Sequence, residues 1–318
     1  MTSLDIVEAS ADHAADMADV IRRSFAARPP LDPPAPALTE DPASVAAAIA
    51  VAGGLVAEFD GAVVGALLFD DSRPGLLGLR RVSVDPDHQA HGVASAMVGV
   101  AEDIAAGRGV DGLWLWVREE LPETVRFWLR RGYFRTVPRE REGPPADGVH
   151  GVVQKALPAH TSVPSAGAMQ ELAARVAALL EPGDLLILRG ELGAGKTTFT
   201  QGLGEALGVR GPITSPTFVL SRIHPSLVGG PDLVHVDAYR LGSAIEVDDL
   251  DLDATSDTSV TVVEWGSGVA EQLSESRLEI SISAPSDGSD TRSVTVVPHG
   301  PRWARVGLRS ALERSHTS

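Results

Sequence analysis

Gly190-Glu191-Leu192-Gly193-Ala194-Gly195-Lys196-Thr197 is the stretch on which the fold of this 318-residue chain turns. Its spacing, G-x-x-x-x-G-K-[ST], is that of a phosphate-binding loop. The flanks supply the context such a loop needs. Ahead of it, Asp184-Leu185-Leu186-Ile187-Leu188-Arg189 is an apolar run of strand length. Behind it, from Thr198 onward, Phe199, Leu203, Ala206 and Leu207 recur at helical spacing until Gly208. Strand, glycine loop and helix in that order let backbone amides turn inward around phosphate oxygens at the positive end of the helix. In that arrangement Lys196 reaches the outer phosphates and the Thr197 hydroxyl faces magnesium. A chance glycine-rich turn is the bland alternative, and the flanking strand and helix argue against it.

Further along, Leu233-Val234-His235-Val236 runs into Asp237, and Val260-Thr261-Val262-Val263 runs into Glu264. Ligands of open α/β sheets bind at the carboxyl ends of the strands, so both acids are expected to face the loop. Magnesium takes one or two carboxylates together with water and phosphate oxygens. Thr197, Asp237 and Glu264 are therefore the expected metal ligands, and a carboxylate there also suits orienting an attacking water. The alternative is two ordinary acids at strand ends. Strands at Leu278–Ile282 and Ser293–Val297 and an amphipathic helix over Met169–Leu180 complete the unit. Asp248 to Asp257 reads as an acidic loop without the glycine and glutamate spacing of a calcium loop.

These blocks resemble the TsaE (YjeE) family. The resemblance rests on Leu192 to Phe199, Ser215-Pro216-Thr217-Phe218, His235-Val236-Asp237-Ala238-Tyr239-Arg240 and Glu264-Trp265, in that order. It covers about residues 165–300. It implies an ATPase that works with TsaD- and TsaB-like partners in forming N6-threonylcarbamoyladenosine in tRNA. By position it implies ATP contacts from Gly190 through Thr198 and from Trp265. Lys196, Asp237 and Glu264 would be the essential residues, and Ser215 to Phe218 a mobile segment near the γ-phosphate. A small-molecule kinase is the rival reading, but it wants an arginine-rich lid, and only Arg210, Arg222 and Arg240 are at hand.

Composition limits what else the chain can be. Its length favours two domains. Residues 1–157 hold 15 basic and 23 acidic side chains and residues 158–318 hold 12 and 20, so each half is −8 and the whole −16. Phosphate-backbone binding needs clustered Lys and Arg, so contact with tRNA is expected only indirectly, through the partners. The absence of cysteine excludes disulfides, thiolate catalysis and cysteine metal sites. With no apolar run of membrane-spanning length and no signal-like start, a cytoplasmic location without membrane association is expected.

In the first half, Leu4–Val7 alternates like a strand, and Ser10 caps a helix over 11–27 whose stripe is Ala14, Met17, Val20, Ile21 and Phe25. A second helix is expected over 41–51. Asp60-Gly61 joins Leu55–Phe59 to Ala62–Phe69 as a hairpin. A strand over Leu77–Val84 ends at Asp85-Pro86. Then Gln89-Ala90-His91-Gly92-Val93-Ala94 leads into a helix over 94–106, where small residues and free amides suit a pyrophosphate. Leu113–Val117 is a strand, Pro122–Arg131 a helix, Tyr133-Phe134 a strand start, and Val149–Leu157 a last strand. Trp114 and Trp116 share a strand face and read as core; Arg126, Arg130 and Arg131 read as a solvated helix face.

This order resembles the GNAT N-acetyltransferase family over residues 1–157, through the [QR]-x-x-G-x-[GA] pattern of Gln89–Ala94 and the later Phe127 to Phe134. The resemblance implies acetyl-CoA, with its pyrophosphate on the amides of His91, Gly92, Val93 and Ala94 after Gln89, and its pantetheine arm paired with Val82 and Val84. The family often places a tyrosine acid where Trp128 stands. Indole has no acidic proton to give, so that role is lost unless Tyr133 or water supplies it. The acetyl acceptor is unspecified.

The expectation is an α/β chain of two domains, a GNAT-like mixed sheet (1–157) followed, after a linker at 158–165, by a P-loop NTPase sheet (166–318). The alternative from another class makes both halves binding modules without turnover, one sensing CoA and the other switched by nucleotide.

Overall fold

The computed structural model describes residues 4–136, 150–216, 220–240, 257–284 and 290–313. The chain divides into two compact units, 1–155 and 156–318. Each is built on a seven-stranded sheet.

In the first unit, β1 (Leu4–Glu8), β2 (Gly54–Phe59), β3 (Ala62–Asp70), β4 (Leu76–Val84), β5 (Gly112–Arg118), β6 (Phe134–Thr136) and β7 (His150–Ala156) lie in the order β1-β2-β3-β4-β5-β7-β6. Strand alternation divides their side chains between two layers of helix. Ala66 and Leu68 of β3 pack with Met17 and Ile21 of α1 (Ala14–Ala26) and Val45 of α2 (Pro42–Ala52). Gly65, on the other face, leaves room for Met97 of α3 (Val93–Gly107). The last helix of the unit among the described residues is α4 (Pro122–Arg130). Two irregularities open this sheet around β4. A bulge sets Arg81 and Val82 of β4 opposite the single residue Leu67, with Arg81 at φ +54°. And β4 pairs with β5 only from Leu76–Gly78 to Gly112–Trp114, although both strands run on.

In the second unit the strands are β8 (Ala159–Val163), β9 (Leu185–Arg189), β10 (Ser221–His224), β11 (Asp232–Asp237), β12 (Ser259–Glu264), β13 (Arg277–Ser283) and β14 (Arg292–His299). Their order is β10-β11-β12-β9-β13-β14-β8. β11, β12, β9 and β13 are mutually parallel, and antiparallel strands close both sides. Being buried on both faces, the parallel strands are apolar runs rather than alternating ones. Leu186 and Leu188 of β9 join Leu172 and Val176 of α5 (Ala166–Ala177) and Phe199 and Leu203 of α6 (Lys196–Ala206). Leu185 and Ile187 face the opposite layer with Val234, Val236 and Val263. A short α7 (Leu308–Leu312) packs Leu308 and Leu312 into the first of these layers.

The stretch expected as a linker, 158–165, is corrected here. Ala159–Val163 is an edge strand, paired antiparallel to β14 from Ala159↔Val296 to Val163↔Arg292. Its residues His-Thr-Ser are polar and sit at the sheet's rim, while Ala159 and Val163 are buried. Thr217 and Phe218, and the acidic stretch 248–257 apart from Asp257, lie outside the described residues.

Candidate functional site

The loop from Gly190 to Gly195 bends through three glycines of positive φ: Gly190 (149°), Gly193 (78°) and Gly195 (114°), the last being the N-cap of α6. At Gly190 a Cβ would lie 2.5 Å from the Ile282 carbonyl oxygen, so the loop's exit from β9 admits only glycine. Lys196, the only lysine of the second unit, is buried. Its Nζ donates to the carbonyls of Gly190 (2.7 Å) and Glu191 (3.0 Å) and stands 3.7 Å from the Trp265 ring centre. Burial pulls its pKa below the usual lysine value, opposed by the charges of Glu264 and Asp237.

The two acids are neighbours across parallel strands, Asp237 of β11 against Glu264 of β12. Period-2 alternation puts them on the face of Leu233 and Val262, toward α6. Thr197 Oγ1 lies 3.3 and 3.5 Å from the two Glu264 oxygens. Ser215 Oγ donates to Asp237 Oδ2 at 2.9 Å, and the Tyr239 backbone amide donates to Oδ1 at 3.1 Å. Trp265, next after Glu264, has φ +61°, an uncommon conformation for an aromatic residue. That turn carries its ring over Lys196 and within 5.3 Å of the Tyr239 ring.

These groups enclose a cavity of 580 Å³, within the size range of small-molecule sites. Leu192, Gly193, Gly195, Lys196, Thr197, Thr198, Asp237, Glu264 and Trp265 line it, with Ser215 and Tyr239. Of the expected nucleotide residues, Gly190, Glu191 and Ala194 do not line it; they shape the loop from behind. Thr197, Asp237 and Glu264 offer oxygen donors only. That donor set suits a hard cation that keeps waters and phosphate oxygens, not an all-protein cage. Among the described residues there is no group of three or more His, Cys, Asp or Glu able to hold a metal by itself.

His235 is a functional candidate that sequence reading passed over. It is completely buried on β11, and its Nε2 lies 2.8 Å from Glu264 Oε1. The signal was present: His235 precedes Asp237 by two residues and so shares its strand face. Tyr239 also lies two residues from Asp237, but past the strand end, in the turn Ala238–Arg240.

In the first unit, Val82, Val84, Gln89, Gly92, Val93 and Ala94 line one cavity of 450 Å³. His91 is exposed and is not among the lining residues. Gly92 is the left-handed N-cap of α3, with open space where a Cβ would stand. A second cavity, 480 Å³, lies where β4 and β5 part. Val82, Thr124, Trp128 and Arg28 line both. Trp114 and Trp116 both wall the second cavity, so neither is merely core. Of the two substitutes left open for the missing acid, Tyr133 is not placed to serve. Tyr133 is wholly buried, lines neither cavity and donates to Glu102 at 3.3 Å. Burial, reinforced by the Glu102 charge, drives its pKa well above the usual tyrosine value.

Comparison with known proteins gives a family match for each unit. Residues 163–294 match the family described as threonylcarbamoyl adenosine biosynthesis protein TsaE. Residues 18–133 match the acetyltransferase (GNAT) family. The tRNA threonylcarbamoyladenosine biosynthesis protein TsaE of Streptomyces coelicolor is 60% identical over 143 residues, which is 44% of this chain and 97% of that protein. The Mycobacterium tuberculosis (H37Rv) protein of the same description is 49% identical over 131 residues, 39% of this chain and 77% of its own. A crystal structure of the PaiA N-acetyltransferase from Thermoplasma acidophilum in complex with coenzyme A is 15% identical, covering 49% of this chain and 99% of that one, with a TM-score of 0.41. Through its second unit, behind a segment that matches the GNAT acetyltransferases, the chain belongs to the TsaE family of tRNA threonylcarbamoyladenosine biosynthesis proteins.

Proposed function

We propose that the second unit binds ATP with magnesium and hydrolyses it in support of threonylcarbamoyladenosine formation, together with TsaD- and TsaB-like partners. One observation carries this reading: Lys196, Thr197, Asp237, Glu264 and Trp265 converge on one cavity at the carboxyl ends of three parallel strands. Lys196 gives up the carbonyls of Gly190 and Glu191 to take phosphate oxygens, while the loop amides hold the remainder. Trp265 lies against Lys196 at the cavity wall. Glu264, steadied by His235, orients the attacking water. Thr197 and Asp237, with Glu264 beside them, would hold magnesium, which would supply neutralisation of phosphate charge. Ser215 ties the start of its segment to Asp237 at the cavity.

The test is nucleotide titration of Lys196→Ala together with tRNA analysis in cells carrying that variant as the sole copy. Loss of binding and of modified adenosine is expected. Wild-type ATP affinity, or full modification, would refute the reading.

The first unit transfers acetyl from acetyl-CoA to an amine, its α3 N-terminus receiving the pyrophosphate and Val82 and Val84 the pantetheine arm. A reading without turnover, as a CoA sensor, draws on Trp128 and on the buried Tyr133 hydroxyl. Acetyl-CoA titration followed by thiol release with amines separates the two.

A further inference from the structure

The cavity between β4 and β5 carries a charge opposite to that of the molecule around it. Residues 1–157 are −8 overall, yet Arg28, Arg80, Arg81 and Arg118 line this cavity against one acid, Asp70. The bulge in β4 is the cause. Strict alternation would turn every second residue of the strand away, but with Arg81 at positive φ, Leu79, Arg80, Arg81 and Val82 all reach the cavity.

The four arginines are not equivalent. Arg81 is paired with Glu40, and Arg118 with Glu120 at 3.0 Å. Arg28 has no carboxylate partner among the described residues. Its guanidinium lies 3.7 Å over the Phe25 ring and donates to the Val82 carbonyl at 3.2 Å. Burial, with no acid to offset it, brings its pKa down to about 10. The Arg80 side chain is exposed and has neither a hydrogen bond nor an ion pair among the described residues. Two guanidinium groups without an acid thus face a space whose walls include Trp116 and Trp128. Guanidinium is the side chain best matched to a carboxylate.

We propose that the acetyl acceptor is a small amine that also bears a carboxylate, and that Arg80 and Arg28 hold this carboxylate. The proposal rests on the acetyltransferase reading of the first unit. Arg28, which lines both cavities, marks their junction, where the amine meets the thioester. There the amine nitrogen forms a C–N bond to the acetyl carbon and the C–S bond breaks. Of the two protons the ammonium gives up, one ends on the CoA thiol and one in solvent. A cavity of 480 Å³ suits an amino acid or a dipeptide-sized end of a peptide.

The experiment uses the full chain. Acetyl-CoA binding is measured first by calorimetry, and its absence would refute the acetyltransferase reading itself. Thiol release is then compared for L-glutamate and its diamide, for L-phenylalanine and phenethylamine, and for tripeptides beginning with glutamate or lysine. In parallel, N-acetyl-L-glutamate and its diamide are titrated into the protein–CoA complex, which reads the site even without turnover. The carboxylate member of each pair is expected to be favoured about tenfold or more. Arg80→Ala should erase that preference while leaving acetyl-CoA affinity unchanged, and Arg80→Lys should restore part of it. The tripeptides tell a free amino acid from a peptide end. Acetyl-CoA binding combined with equal or weaker handling of the acids, no binding of N-acetyl-L-glutamate, or an unaltered preference in Arg80→Ala would overturn the proposal.

Discussion

Glu264 is held from two sides, by His235 through a 2.8 Å hydrogen bond and by Thr197 at 3.3 Å. Both Glu264 and His235 are buried, so removing the imidazole leaves a desolvated carboxylate short of a donor. His235→Ala is expected to lower partner-stimulated ATP turnover by about 10- to 100-fold, the range for groups that orient a ligand or catalytic residue. Nucleotide affinity should change much less, because His235 does not line the cavity; equilibrium titration beside a turnover assay separates the two effects. In the first unit, Tyr133→Phe should leave acetyl transfer intact and cost only about 1 kcal/mol of stability for its bond to Glu102. A large loss of thiol release in that variant would restore the tyrosine to the chemistry. Gly92→Asp offers the converse test. Aspartate tolerates left-handed φ and caps helices, so the variant folds, but its charge repels a pyrophosphate. Acetyl-CoA affinity should drop at least tenfold by calorimetry.

At the scale of elements, the loop and α6 are positioned by two close approaches. One is Gly190 against the Ile282 carbonyl of β13. The other is Gly202 of α6, where a Cβ would fall 2.5 Å from Gln170 Cα of α5, backbone against helix backbone. Gly202→Ala is therefore expected to push the two helices apart and cost about 1–3 kcal/mol in urea unfolding, as overpacking does. A neutral result would mean that α5 and α6 slide freely. β8 belongs to the same scale. A short polar sequence becomes a strand there because β14 presents an unpaired edge, and backbone hydrogen bonding rather than side-chain pattern recruits it.

For the whole molecule, the two proposed ligand sites, one in each compact unit, predict separable thermal responses. ATP with magnesium should stabilise the unit containing Lys196, and acetyl-CoA the unit containing Gly92, each by about 2.7 kcal/mol at a hundredfold excess over Kd. Lys196→Ala should cancel only the first response. A chain of net charge −16 without a basic stripe should also fail to bind tRNA tightly on its own at physiological salt. Tight, salt-sensitive binding in a filter or mobility assay would count against recruitment through partners.

The phosphate loop, the strands leading into Asp237 and Glu264, and the helix that opens at Gly92 are all legible in the chain before it folds. They come from glycine spacing and from apolar runs of strand or helix period, which are local properties. The remaining features exist only in the folded chain. Parallel register set Glu264 beside Asp237, and burial joined it to His235. A positive φ at Trp265, which no local pattern announces, laid its ring over Lys196. Tyr133 was kept out of both first-unit cavities by burial against Glu102, a contact 31 residues away along the chain. A bulge in β4 and the early parting of β4 from β5 gathered arginines into one cavity. Each depends on which segments meet across the fold, and chain-distant pairing leaves no period in the sequence to read.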